Sequence, residues 1–423
     1  MNEISRRNAQ SSAGILGAAL LSVVFLCPVL YAQGPVELPA GDGKQILETR
    51  CTICHELTEL KRVSFDREDW QELVGRMVTY GAPVPKDQIP VLIEYLGKNF
   101  STAGRQPGKV VPGPVEATVR EWTLPNPGTR PNGTFMARDG SLWYSWAGNP
   151  KLGRFDPKTG EFKDFALKVP GDGAHDIVDD KDGIMWFTAP TYIGALNPKT
   201  GDVREYFMPD PQARGLHEPV FDQRGILWFT MSRGDMIGRL DPKTGNVKLI
   251  LVPTQNSRLY GIAVSSKGVP YFSMFAHNKL GSVDPVTFEV REYVMPNAAS
   301  RPKRVNFTSD DVLWYADYSR GYLGSFDTKT GKFREWPSPG GPSSHPYALT
   351  TDGDAVWYGE GRMKPPMVVR FDPKTEKFQT WKTASSSSEI HFMTPAPNGN
   401  IWFGRNTGKG GVLNMVEVRS GSR

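Results

Sequence analysis

The chain has 423 residues, which is too long for one ordinary small domain. Its 39% hydrophobic and 11% aromatic residues exclude a disordered or low-complexity protein. The formal net charge of +5 is small and dispersed, so it gives no argument for binding to nucleic acid.

Residues 1–32 have the pattern of a signal peptide. Arg6 and Arg7 give a positive start, an apolar stretch follows over residues 13–30, and Ala32 offers a small residue before a cleavage point. The pattern predicts an exported bacterial protein of the periplasm, which contacts the membrane only if the leader is not removed. The export route, general or twin-arginine, stays open.

The five residues Cys51-Thr52-Ile53-Cys54-His55 form the pattern of a c-type haem attachment site. Two thiols three positions apart can each form a thioether with one haem vinyl group, and the following imidazole can bind the iron. A zinc site would need further ligands, and residues 35–174 contain no other His or Cys. The sequence therefore predicts one covalent haem c on Cys51 and Cys54, with His55 as an axial ligand.

Three short helices with apolar stripes are expected in residues 35–100. Met77, on the second helix, is the candidate sixth ligand, because Met opposite His suits electron transfer. The alternatives are an open iron position and a Met77 that only fills the core. The segment resembles a monohaem cytochrome c, close to the haem-binding module of quinohaemoprotein dehydrogenases. The resemblance is carried by Arg50 to His55, Trp70, Arg76, Met77, Gly81 to Pro83, Tyr95 and Leu96.

Residues 101–117 are rich in Pro and Gly and are expected to form a linker. Beyond it the chain repeats an apolar and aromatic segment every 42 to 45 residues. The repeats are centred on Trp143, Trp186, Trp228, Tyr271, Trp314, Trp357 and Trp402. A period in the low forties, with turns such as Asp156 to Gly160 between short strands, is typical of a β-propeller. Seven repeats predict seven blades, and Val119 to Trp122 is expected to pair into the last blade and close the ring.

One register position of the repeats is polar in every blade. Counting back eight residues from the same turn position gives Asn132, His175, His217, Tyr260, Lys303, His345 and His391. This position begins the innermost strand of each blade, so these side chains are expected to surround one mouth of the central channel. Four of the six histidines share it, which favours a pocket for an unidentified small-molecule ligand. The alternative is a polar ring around a water-filled channel.

Over roughly residues 118–420 the chain resembles the streptogramin B lyase (virginiamycin B lyase) family. That resemblance implies a magnesium site and an elimination that opens a cyclic depsipeptide ester, with a histidine as base. His345, His391 and Glu389 match the family's site, which implies His391 as general base and the other two as cation ligands. Arg405 stands where the family has another Glu. A cation there should repel Mg²⁺ and would instead suit an anionic group of a ligand in the pocket.

The sequence thus predicts an α plus all-β multidomain chain. Its parts are a signal peptide (1–32), a small all-α cytochrome c domain (35–100), a linker (101–117) and a seven-bladed β-propeller (118–423). The predicted function is electron transfer through a His/Met-ligated haem, with a propeller that binds a substrate or a periplasmic redox partner. Two alternatives stay open: an elimination lyase in the propeller, and a non-catalytic ligand-binding or sensor propeller.

Overall fold

The computed structural model describes residues 37–52, 57, 60, 65–79, 82–101, 105–126, 129–146, 149–168, 173–385, 389–406 and 410–419. The predicted signal peptide and three residues of the haem motif, Ile53, Cys54 and His55, lie outside these ranges. Within them, no helix is both long and apolar enough to cross a membrane.

The N-terminal part is helical, as its apolar stripes predict. Helix α1 (Asp42–Ile46) continues as a π-helical turn (Leu47–Cys51), and α2 (Arg67–Thr79) and α3 (Gln88–Phe100) follow. Helix α2 begins with a reciprocal cap, in which the Asp69 amide donates to Asp66 Oδ1 (2.9 Å) and the Asp66 amide to Asp69 Oδ2 (3.1 Å). The three helices share one apolar cluster. That they form a cytochrome c domain stays a prediction.

The rest of the described chain is a seven-bladed β-propeller, as the repeat period predicts. Each blade is a four-stranded antiparallel sheet. Blade 1 contains β2 (Pro131–Met136), β3 (Leu142–Trp146), β4 (Lys151–Phe155) and β5 (Phe162–Ala166); blade 2 contains β6 (Ile177–Asp179), β7 (Met185–Thr188), β8 (Tyr192–Leu196) and β9 (Val203–Phe207); blade 3 contains β10 (Arg214–Phe221), β11 (Leu227–Arg233), β12 (Met236–Leu240) and β13 (Val247–Leu251); blade 4 contains β14 (Leu259–Val264), β15 (Pro270–Met274), β16 (Lys279–Val283) and β17 (Val290–Val294).

The remaining three blades complete the circle. Blade 5 contains β18 (Pro302–Phe307), β19 (Val312–Asp317), β20 (Tyr322–Asp327) and β21 (Phe333–Pro337); blade 6 contains β22 (Pro346–Thr351), β23 (Val356–Glu360), β24 (Met367–Asp372) and β25 (Lys377–Lys382); blade 7 contains β26 (Thr394–Pro395), β27 (Ile401–Asn406), β28 (Gly411–Val418) and β1 (Ala117–Thr123). Strand β1 pairs with β28 from Ala117 opposite Val418 to Thr123 opposite Val412, so the first strand closes the last blade. This pairing supplies the fourth strand of blade 7 and joins the two ends of the propeller in one sheet.

The repeated sequence features have local structural reasons. In the turn between β4 and β5, the Gly160 amide donates to the Asp156 carbonyl (2.8 Å), and Gly160 has a φ of 77°, which favours glycine. In blades 1 to 5 the aromatic residue of the second strand packs on a glycine of the third. A Cβ at Gly194 would lie 2.0 Å from the ring of Phe187, so a larger side chain has no room there.

The linker lies along the outer strand of blade 6. The Val111 amide donates to Thr380 Oγ1 (2.8 Å), and the Thr380 amide donates to the Val111 carbonyl (3.0 Å). The Val115 amide donates to Gln379 Oε1 (3.1 Å). These bonds fix the path from the helices to β1 on the surface of the propeller.

Candidate functional site at the channel mouth

The structure brings the seven register residues to one end of the central channel. The rings of His175 and His217 lie 4.2 Å apart between centroids, and those of His217 and Tyr260 lie 3.8 Å apart. Across the same space, His391 Nδ1 lies 3.1 Å from Asn132 Oδ1. Lys303 contacts the ring of Tyr347, which in turn packs on His391, and His345 lies on the same side of the channel. We call these seven register residues the mouth residues.

Backbone irregularities aim several mouth residues inward. The strand register shifts between Leu216 and Pro219 in blade 3, and between Pro302 and Val305 in blade 5. His217 and Lys303 fall inside these bulges, which is how a β-bulge redirects one side chain out of the alternating pattern. The same shift occurs in blades 1 and 4, around Asn132 and Tyr260.

Hydrogen bonds between neighbouring blades hold the mouth residues at one height. Nδ1 of His175 lies 3.2 Å from the carbonyl oxygen of His217, and Nδ1 of His217 lies 3.2 Å from that of Tyr260. Each Nδ1 therefore donates to the equivalent residue of the next blade. Thr188 and Thr230, on the second strands, donate from Oγ1 to the His217 and Tyr260 carbonyls at 2.7 Å and 2.6 Å. Sequence analysis missed these hydrogen bonds between blades, although a hydroxyl residue stands thirteen positions after the mouth residue in blades 1 to 4.

His391 has the surroundings of a general base. Its Nδ1 faces the amide oxygen of Asn132, and its Nε2 lies 3.9 Å from Glu389 Oε2. The Glu389 carboxylate is itself positioned by the Tyr318 hydroxyl, which donates to Oε1 at 3.0 Å. An N–H on Nδ1 donated to Asn132 leaves the other ring nitrogen to accept a proton. The predicted residues His391, Glu389 and Asn132 thus form one connected group.

His345 is buried beside the same group. Its ring lies 4.4 Å from that of Tyr318, and its backbone has a φ of 48°, which is uncommon for a residue other than glycine. Burial lowers the pKa of His345 to about 4, although the Glu389 charge opposes this. Burial also lowers the pKa of His175 to about 3, and the Arg304 charge adds to that effect. Both imidazoles are therefore neutral at neutral pH.

An ionic cluster lies next to the mouth residues in sequence. Arg304 donates to Glu218 at 2.5 Å and lies 4.0 Å from Asp176. The Arg304 guanidinium also covers the ring of Phe392, 3.6 Å from its centroid. Burial raises the pKa values of both carboxyl groups, and the Arg304 charge opposes this. These residues follow mouth residues by one position, so the same register count, moved on by one, would have found them.

The donors present do not fit the implied magnesium site. Among the residues that the structure describes, no three His, Cys, Asp or Glu side chains are placed to hold a metal ion. The Glu389 carboxylate accepts a hydrogen bond from Tyr318 and faces His391. Arg405 stands where the family resemblance implies another Glu.

Arg405 is held by protein groups of its own. Its Nη2 lies 3.3 Å from Glu121 Oε2 and 3.2 Å from the Ser385 carbonyl oxygen, and its side chain has no exposed surface. Burial lowers the pKa of Arg405 to about 10, while Glu121 opposes the shift. The guanidinium thus joins blade 7 to the segment before His391. That it holds an anionic group of a ligand stays a prediction.

Helix α2 covers the mouth from outside, which sequence analysis did not foresee. Asp69 of α2 pairs with Arg105 of the linker and, at 3.2 Å, with Arg362 of blade 6, and all three side chains are buried. Arg105 also pairs with Glu72 at 3.0 Å. A cavity of about 30 Å³, enough for a water molecule or two, lies where this cluster meets Tyr318 and Glu389.

The helical part also carries the described residues of the predicted haem site. Cys51 ends the π-helical turn and packs, partly buried, against the cluster of Trp70 and Leu92. Met77 is half-buried on α2, one residue before Val78, which joins the same cluster. Several apolar residues at its edge keep exposed surface, among them Leu73 and Ile93. That these residues hold a haem stays a prediction.

The fold and the site define a seven-bladed propeller whose histidine-lined mouth holds a carboxylate and a buried lysine. Residues 117–413 match the model of the virginiamycin B lyase family, which is well over half of the chain. The chain belongs to this family.

Solved structures agree in fold. A streptogramin B lyase is 24% identical, with a TM-score of 0.66, and the match covers 72% of this chain and 98% of that one. A virginiamycin B lyase from Staphylococcus aureus is 23% identical, with a TM-score of 0.65 and coverage of 71% and 99%. A catalytically inactive histidine-to-alanine variant of the Staphylococcus aureus lyase, in a structure with quinupristin, is 22% identical, with a TM-score of 0.64 and coverage of 71% and 99%. No curated protein sequence matches the chain.

Proposed function

We propose that the channel mouth is the active site of a lyase that opens an ester by elimination, with His391 as the general base. The observation that carries this proposal is the arrangement of His391 between Asn132 and Glu389, within a propeller of the virginiamycin B lyase family. A neutral imidazole in a fixed tautomer is the common proton acceptor of enzymes near neutral pH.

The proposed step moves one proton and breaks one carbon–oxygen bond. His391 Nε2 takes a proton from the carbon next to a carbonyl group. The electron pair of that C–H bond forms a C=C bond, and the ester oxygen on the neighbouring carbon leaves as a carboxylate. Glu389 faces the imidazolium that results, so its negative charge stabilises the protonated base.

Access to His391 requires movement of the helices. Helix α2 lies over Tyr318 and Glu389, and the cavity left there is far smaller than a cyclic depsipeptide. We therefore propose that the helical part moves away from the mouth before a large substrate binds. Buried ion pairs hold helix α2 over the mouth, and salt screens buried pairs only weakly, so opening requires these pairs to break.

The test uses the purified full-length protein and quinupristin, which is present in one of the related structures. Elimination converts the ring to a linear product of unchanged mass that contains a new C=C bond, whereas hydrolysis adds the mass of one water. We expect the unchanged mass from the wild type and no product from His391→Ala. His277→Ala is the matched control, because His277 is the histidine of the propeller that is not a mouth residue. A product that has gained water contradicts the proposal.

A second candidate function is electron transfer by a haem in the helical part of an exported, periplasmic protein. It is favoured by the C-x-x-C-H pattern and by the partly covered apolar cluster against which Cys51 packs. Cys51 and Cys54 would hold the haem, with His55 and Met77 as axial ligands, and the group would supply one-electron chemistry. Mass spectrometry of the exported protein tests it, and a mature chain without the added mass of a porphyrin contradicts it.

A further inference from the structure

Lys303 is buried at the channel mouth inside a cage of aromatic rings. Its Nζ lies 3.5 Å from the ring centroid of Tyr347 and 3.7 Å from that of Tyr318. The rings of Phe275 and Tyr260 stand further out, at 5.0 Å and 5.5 Å. Only 7% of the residue is exposed. A lysine is rarely buried to this extent, so its position calls for a reason beyond packing.

The aromatic cage favours the charged form of the lysine. The faces of aromatic rings carry partial negative charge, and an ammonium within about 6 Å of a ring centroid is attracted to them. This attraction is stronger where water is excluded, as at a buried residue. The structure thus holds a positive charge at a fixed point in the mouth. The Lys303 charge acts on two neighbouring histidines, because it contributes to the lowered pKa values of His217 and His345.

The two closest rings connect Lys303 to the proposed acid–base residues. The ring of Tyr347 contacts Lys303 and also packs on His391, with 4.9 Å between ring centroids. The ring of Tyr318 contacts Lys303 and packs on His345 at 4.4 Å, while its hydroxyl donates to Glu389. The ammonium of Lys303 and the imidazole of His391 therefore contact the same tyrosine ring.

We propose that Lys303 is a catalytic residue that stabilises negative charge in the elimination, in the role that a metal ion would otherwise fill. This inference rests on the proposed lyase function. When His391 removes the proton, negative charge develops on the carbonyl oxygen beside that carbon, and the Lys303 ammonium neutralises it. The charge then passes to the carboxylate that leaves as the C–O bond breaks. The donor set agrees with this assignment, because Arg405 occupies the position of a metal-binding carboxylate and the mouth offers no metal cluster among the described residues.

The test compares two substitutions of Lys303 in the full-length protein with quinupristin as substrate. Lys303→Met keeps the length and apolar stem but removes the charge, and Lys303→Arg keeps the charge. We expect Lys303→Met to lower kcat by roughly 100-fold or more, which is typical for loss of one charge-stabilising group, with little change in KM. Lys303→Arg should recover part of that loss. Lys243→Met, at an exposed turn, is the control and should keep wild-type kcat.

A second arm needs no substitution. We expect wild-type activity to be unchanged by EDTA and by added Mg²⁺, because the protein supplies the charge itself. Loss of activity in EDTA that Mg²⁺ restores overturns the proposal. The proposal is also overturned if kcat of Lys303→Met is within about threefold of wild type while His391→Ala is inactive. That result would not contradict the lyase function. A wild-type protein that opens no ester overturns both. Thermal melting of each variant separates a loss of folding from a loss of catalysis.

Discussion

The imidazole of His391 and the carboxamide of Asn132 meet where the last blade joins the first, with 3.1 Å between Nδ1 and Oδ1. Asn132 stands at the start of blade 1, and His391 precedes the first strand of blade 7. The closure of the ring therefore brings the proposed base to the group that fixes its tautomer. The two residues belong to different blades, so only the closed ring brings them into contact.

Asn132 should act as a positioning residue for His391. In Asn132→Ala, the imidazole loses the acceptor for its Nδ1–H, so we expect kcat for ester opening to fall about 10- to 100-fold with little change in KM. In Asn132→Asp, a negative charge should raise the pKa of His391. Protonated His391 is inactive as a base, so the acid limb of the pH–rate profile should move to higher pH. Profiles of the three proteins check this, and an unchanged profile for Asn132→Asp contradicts the assignment.

Asp69 should hold the helical part on the propeller. Asp69→Asn removes the charge that pairs with two buried arginines, Arg105 and Arg362. We expect a loss on the order of 3 kcal/mol, because a buried charge left without its partner is costly. Limited proteolysis should then cut the helices faster while the propeller stays intact. Glu68→Gln, which breaks the exposed pair with Lys364, is the control and should cost less than about 1 kcal/mol.

The buried histidines should make the propeller less stable below neutral pH. A histidine in the unfolded chain binds a proton near its ordinary pKa of 6.5, whereas folded His175 does so only near 3. Its contribution to stability is therefore complete above pH 6.5 and is lost as the pH falls towards 3. Between about pH 6.5 and 5 this one residue should account for about 2 kcal/mol.

Denaturant unfolding of wild type and of His175→Asn at about pH 7 and about pH 5 measures this difference. Asp176 and Glu218 have raised pKa values and change stability in the opposite sense, but they are present in both proteins. The difference between the two proteins therefore isolates the histidine. Equal pH dependence of wild type and His175→Asn would show that His175 takes up a proton in the folded protein.

Met77 should be the sixth ligand of the haem. If the haem is present, Met77→Ala should remove the weak charge-transfer band of Met-ligated ferric iron and lower the reduction potential. Cys51→Ala should leave a haem with a single thioether and a shifted absorption band. Visible spectra of the oxidised and reduced proteins check both substitutions. A spectrum that Met77→Ala leaves unchanged contradicts the ligand assignment.

The repeat sequence predicts the propeller because most blades share one packing arrangement. An aromatic residue such as Phe187 fills the space left by a glycine such as Gly194, so the pair recurs along the chain and can be counted. Equivalent positions stand at equal height around a closed ring, so the same count collects the mouth residues. Seven blades and their polar mouth follow from this periodicity alone.

The position of helix α2 over the mouth residues could not be predicted from the repeats. The buried pair of Asp69 and Arg362 joins residues 293 positions apart, and neither belongs to a repeated feature. The aromatic cage of Lys303 is also irregular, because Tyr318 and Tyr347 lie outside the register that collects the mouth residues. Contacts between the helices and the propeller depend on how these two parts pack together. A local sequence pattern does not encode that packing.

The pairing of β1 with β28 has a consequence for how the chain is made. Ala117 must find Val418, which leaves the ribosome roughly three hundred residues later. Until then the early strand is unpaired while six complete sheets assemble behind it, and such distant pairing slows folding. A nascent chain that terminates before residue 411 would carry an incomplete circle with two unsatisfied edges. Such products should be lost to aggregation or degradation, even though every residue of the proposed base and its lysine partner has already been synthesised.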